Sequence, residues 1–176
     1  MHIERRDVID EPIDRVYALL RDELPRLAAH LPSVQRIDRV SAHETADGVD
    51  VVNHWYAIAD IPGPLARFVK PELFAWRDTA RWHDADRAVD YTLESFVAAD
   101  LYDARGRNQL LALGPRRTEL RVSCAVAIWA DRIPGVPATV ARRAVPLVET
   151  LVEQLLSANL RSVARAVAAY CRAHPE

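Results

Sequence analysis

The spacing of hydrophobic positions changes period twice along this chain. Residues 2–9 can form a strand, and Asp10-Glu11-Pro12 then supplies a helix entry, a capping acid followed by proline in the first turn. Ile13, Val16, Tyr17 and Leu20 recur as one face of a short helix. A second short helix is expected around Pro25, with Leu24, Leu27, Ala28 and Leu31 inward and Pro32 stopping it. The period then drops to two. Residues 34–45 and 49–59 read as strands joined at Ala46-Asp47-Gly48. Pro62-Gly63-Pro64 breaks the pattern and opens a short apolar segment ended by Pro71. Phe74, Trp76 and Trp82 alternate with Ala75, Arg77 and Arg81. After turn material at Asp84-Ala85-Asp86, Val89, Tyr91, Leu93, Ser95 and Val97 alternate with Asp90, Thr92 and Glu94. Residues 107–113 and 118–130 make another hairpin around Gly114-Pro115, with Leu120, Val122, Cys124, Val126 and Ile128 on one face of the second strand.

Pro134-Gly135-Val136-Pro137 forms a hinge, and beyond Pro146 the period returns to the helical one. Val148, Leu151, Val152, Leu155, Leu156, Val163, Val167 and Tyr170 fall on one broad face, predicting a helix over about 147–172. Asn159 lies near the centre of that stripe, where a helix that only closes a core would carry Leu or Val. Two readings stay open: a core amide bonded to backbone, or a polar group facing a cavity.

The order strand, two short helices, about six strands and a long helix predicts an α+β fold, a curved antiparallel sheet gripping the C-terminal helix. A lipocalin-type barrel fits the two early helices poorly. The chain resembles the START-like superfamily, also called SRPBCC or helix-grip proteins. The matching stretches are residues 9–20 with their Asp10-Glu11-Pro12 entry, Leu31-Pro32-Ser33-Val34, Pro71-Glu72-Leu73-Phe74-Ala75-Trp76, residues 113–120, and the terminal helix. The likeness spans nearly the whole chain and predicts one domain over 1–176, but its motifs speak to architecture rather than chemistry.

Composition narrows the function classes. A chain of 176 residues can bury roughly 70% of its unfolded surface and needs neither disulfide nor metal to be stable. The formal net charge is −2, and Lys70 is the only lysine among many dispersed arginines, so no polyanion-binding stripe is expected. The N-terminal residues are charged rather than signal-like, and no apolar run is long enough to span a bilayer. Cys124 and Cys171 form no C-x-x-C pair, which fits two reduced, buried thiols in a cytoplasmic protein.

Motifs for nucleotide binding and for serine or metal hydrolysis are missing. The five glycines form neither G-x-G-x-x-G nor a P-loop, there is no G-x-S-x-G, and the six histidines include no H-E-x-x-H. His83-Asp84-Ala85-Asp86 reads as a solvated turn rather than a cation site, and neither metal nor cofactor is expected. What remains is a set of polar and aromatic groups on apolar faces: Trp76, Trp82, Tyr91, Ser95 and Cys124 on strands, Leu155 and Asn159 on the terminal helix. Asp78 shares the Trp76 face, where an unpaired carboxylate is costly. His54 lies in a strand whose inward face alternation leaves open, Val52 and Tyr56 on one side, Val51, Asn53 and Trp55 on the other.

Resemblance to START-like proteins implies binding of a hydrophobic small molecule, a lipid, isoprenoid or polyketide-like compound, between sheet and terminal helix. Residues 60–72 and 131–137 are the expected pocket rim. A second implied reading is a polyketide cyclase or aromatase, for which His54, Asp78 and Tyr91 are the candidate acid/base groups. A third is a protein-interaction module with a collapsed cavity. The sequence leaves ligand identity and oligomeric state open.

Overall fold

The computed structural model describes residues 1–58, 74–96, 101–129, 132, 146, 150 and 162–175. Its elements are β1 (His2–Ile9), α1 (Ile13–Asp22), α2 (Leu24–Leu27) continued by a 3-10 turn (Ala28–His30), β2 (Val34–Thr45), β3 (Gly48–Ala57), β4 (Ala75–His83), β5 (Ala88–Ser95), β6 (Tyr102–Gly114) and β7 (Arg117–Ile128). A final helix, α3, is described over 162–173.

Among the described residues, seven strands make one curved antiparallel sheet in the order β1-β7-β6-β5-β4-β3-β2. Strands β2 to β7 follow each other as a meander, while β1 pairs with β7 at the far edge. Helices α1 and α2 carry the chain from one edge to the other. Pro12 holds φ at −60°, which suits the residue before a helix, and α1 buries Val16, Tyr17, Leu19 and Leu20. Thr118 is fully buried and donates its hydroxyl to the Glu11 carbonyl at 2.8 Å, fixing the start of α1 on β7.

The expected face of α3 is the one that packs. Ala166, Val167 and Cys171 are buried in the same cluster as Val16, Leu27, Val51 and Leu120. Its C-terminal end is tied to α2 through Tyr170, whose hydroxyl lies 3.1 Å from a Glu23 carboxylate oxygen. The Val148, Val152 and Leu155 part of the predicted helix lies outside the described residues. Among the described residues, no helix is long and apolar enough to cross a membrane.

Two boundaries differ from expectation. β6 begins at Tyr102 rather than near 107, because Gly106 interrupts the apolar pattern without interrupting the pairing. β3 ends at Ala57, two residues short of the predicted end. Strand β2 also carries two register shifts, one between Val34 and Arg36 and one between Arg39 and Ser41, which place an extra residue in the strand each time.

Candidate functional site

The concave face of the sheet, α1, α2 and α3 line a partly open cavity of about 160 Å³. Its wall is mostly apolar: Leu20 and Leu24 from the helices, Val89, Leu93, Leu110 and Val122 from the strands, Val163 from α3. Alternation on the strands explains this lining, since every second residue of a half-buried strand faces the same way. Trp55 and Trp76, partners across β3 and β4, stack at 5.6 Å with planes 12° apart and form an aromatic wall. Trp82 closes another part of the lining, with the Tyr17 ring packed edge-on at 5.2 Å.

One side of the cavity is polar. Arg39, Asn53 and Asp78 are in register across β2, β3 and β4 and form a connected row. Arg39 Nε donates to Asn53 Oδ1 at 2.8 Å, and Asn53 Nδ2 donates to Asp78 Oδ2 at 3.3 Å. Trp55 Nε1 donates to the same carboxylate oxygen at 3.1 Å. Asp78 is 8% exposed and Asn53 1%. Burial pushes the Asp78 carboxyl up to about 6, against the opposing pull of its two hydrogen bonds and the charge of Arg39. Both of those bonds fall on Oδ2, which leaves Oδ1 as an acceptor at the cavity wall.

Tyr91 crosses the floor of the cavity. Its ring lies over Gly106, where a Cβ would come within 2.4 Å of the phenol, and its hydroxyl donates to the Ser123 carbonyl at 3.2 Å. Glycine is required there because the space a side chain would take is filled by Tyr91. Burial raises both the Tyr91 hydroxyl and the Cys124 thiol, so neither ionises readily. Asn108 also lines the cavity, and its Oδ1 is buried without a hydrogen-bond partner.

The structure brings Trp76, Asp78, Trp82, Tyr91 and Cys124 together in the lining of one cavity. Ser95 is buried in register with Trp76 but is not part of the lining. His54, whose face alternation left open, does not join that lining: Asn53 and Trp55 face inward, so His54 points to the outer face and packs against Phe96 at 4.6 Å. Leu155 and Asn159 lie outside the described residues, as do the expected rim at 60–72 and all of 131–137 except Arg132. Sequence reasoning missed Arg39, Asn53, Trp55 and Asn108 as site residues. Asn108 was findable, because it alternates with Leu110. Arg39 was not, because a bulge sets its direction.

No family model matches this sequence, and comparison with curated protein sequences found no relative. Comparison of structures finds the Zhui aromatase/cyclase from Streptomyces sp. R1128, at 19% identity and a TM-score of 0.66, covering 99% of this chain and 96% of that one. A START superfamily protein from Mycobacterium smegmatis is similar at 13% identity and a TM-score of 0.57, covering 96% of this chain and 95% of that one. Norcoclaurine synthase from Thalictrum flavum is similar at 13% identity and a TM-score of 0.57, covering 99% of this chain and 87% of that one. The shared property at these identities is the fold: this chain has the START-like, helix-grip fold.

Proposed function

We propose that this protein binds a compact hydrophobic molecule in the cavity between the sheet and α3. The observation that carries the reading is an apolar, tryptophan-lined cavity with one buried carboxylate in its wall. Hydrophobic packing alone does not account for Asp78. A carboxyl raised to about 6 is ionised at neutral pH at a cost to folding. Retaining it makes sense where the group has work to do in the cavity. The volume is close to that of an apolar cavity known to accept benzene, so compact ring compounds fit better than extended acyl chains.

The test is direct. Organic extracts of the folded protein, analysed by mass spectrometry beside a denatured control, should contain a bound apolar compound. A panel of one- and two-ring aromatics should shift tryptophan emission, through Trp55 and Trp76, and slow thiol labelling of Cys124 more than of Cys171. Both thiols are buried, but only Cys124 lines the cavity. Equal labelling with no spectral response across the panel would count against the reading.

A second reading, an aromatase/cyclase-type enzyme, is favoured by Asp78 itself. A carboxyl near 6 exchanges a proton readily around neutrality, which is what general acid–base catalysis needs. Structural similarity to an aromatase/cyclase supports this reading. Turnover of a flexible polyketone that disappears in Asp78→Asn, with binding retained, would establish it.

A further inference from the structure

Strand β2 carries an arginine on its inner face where regular pairing would place a valine. Val51 pairs with Ala42 and Val52 with Ser41, so regular pairing would set Val40 opposite Asn53. The register shift between Arg39 and Ser41 sets Arg39 there instead and leaves Val40 54% exposed. Bulges commonly re-aim a side chain beside a functional site. Here the consequence is chemical. Because Arg39 has only donors, Asn53 must turn its carbonyl oxygen toward it, and the amide nitrogen is then aimed at Asp78. The second arm of Arg39 donates to the Arg21 carbonyl at 2.7 Å, in the last turn of α1, where unpaired carbonyls favour a cation. Arg39 is therefore held from both ends.

We propose that Arg39 is a positioning residue for the cavity: acting through Asn53, it keeps Asp78 as a hydrogen-bond acceptor, so that the cavity selects apolar ligands carrying a hydrogen-bond donor. This rests on the ligand-binding reading above. The groups around Asp78 are Arg39 from β2, Asn53 and Trp55 from β3 and Tyr91 from β5, while Asp22 at the end of α1 acts on Arg39. Arg39 is the cation whose charge acts on Asp78; Arg87, which also lines the cavity, is paired with Asp14 at 2.7 Å. Both bonds to Asp78 come from donors that cannot also accept at the same atom, which disfavours the protonated form and leaves Oδ1 for a donor on the ligand.

Two measurements test this. The first needs no ligand. Trp55 donates directly to Asp78, so tryptophan emission should titrate with a midpoint near 6. That transition should vanish in Asp78→Asn. In Arg39→Met the midpoint should rise by roughly one unit, because an attractive charge and the amide's fixed orientation are lost together. Arg39→Lys, which keeps the charge, should recover part of the shift. A lowered melting temperature with an unmoved midpoint in both variants would reduce Arg39 to a structural residue and overturn the proposal.

The second measurement compares p-cresol with p-xylene, which differ by a hydroxyl in place of a methyl. Calorimetry at pH 7.5 should show the wild type preferring p-cresol by about tenfold, the size of a hydrogen bond to a charged acceptor. Arg39→Met should narrow that preference at pH 6.5 and restore it at pH 8.5, where Asp78 is ionised again. Equal binding of the two probes to the wild type overturns the selectivity. Binding of neither overturns the ligand reading itself, and the emission midpoint then decides the role of Arg39 alone.

Discussion

At the scale of single residues, Asp78 is where stability and site chemistry conflict. Its carboxyl stands near 6 in the folded protein, above the ordinary value of about 3.9 in an unfolded chain. The unfolded state therefore releases its proton first as pH rises. Asp78 costs nothing below about pH 4, its penalty grows between about 4 and 6, and above that it is constant at about 3 kcal/mol or less. Asparagine can place its oxygen where Oδ2 now accepts from Asn53 and Trp55, with its nitrogen turned to the cavity. Asp78→Asn is expected to raise the melting temperature at pH 8 by several degrees and to leave it nearly unchanged at pH 4. Thermal melts at the two pH values check this; a variant less stable at pH 8 would show that the carboxylate supports the fold. The sequence already marked Asp78 as anomalous, because a charged residue recurred on a tryptophan face. It left His54 open because both faces of β3 carry apolar and polar residues.

At the scale of elements, the position of α1 depends on a polar anchor at its inner side. Tyr17, 3% exposed, donates to Asp84 Oδ1 at 2.8 Å, and Arg21 Nη1 donates to the same oxygen at 2.8 Å. Asp84 sits in the turn between β4 and β5, so this contact pins the helix that supplies Leu20 to the cavity wall. The Tyr17 bond is also the first cause holding the Asp84 carboxyl below its ordinary range. Tyr17→Phe should cost about 1 kcal/mol and lower the melting temperature by roughly 2–4 °C, measurable by calorimetry. The loss should be larger at neutral pH than in acid, where Asp84 becomes protonated and the anchor weakens in the wild type as well. Elements were the most legible level of this sequence. The Leu120 to Ile128 alternation and the α3 face at Val167 each rest on one physical periodicity, and each is present. The Asp10-Glu11-Pro12 signal marks where α1 begins, but Pro12 is itself the residue before the helix and no acid side chain caps it. The two shifts in β2 were illegible, because a bulge adds a residue without a turn signal. Ile37 and Val40 simply look like positions three apart, and nothing in them reveals that Arg39 faces inward.

At the scale of the whole molecule, the pairing of β1 with β7 governs the order in which the fold can form. Met1 and Val126 meet through a hydrogen bond although they lie 125 residues apart in sequence. The meander from β2 to β7 is built from neighbours in sequence, whereas closing the β1 edge means searching across nearly the whole sheet. Hairpins form in microseconds, so the meander has a long head start over the terminal strand. Until β1 arrives, β7 presents an open row of amides and carbonyls, a template for another chain. Pulse-labelled hydrogen exchange during refolding should therefore protect amides shared by β6 and β7 well before those shared by β1 and β7. The same timing means that the protein is most exposed to aggregation after most of its sheet exists. A substitution such as Ile3→Lys should leave the early protection intact, prolong the late phase, and raise the concentration-dependent loss of soluble protein.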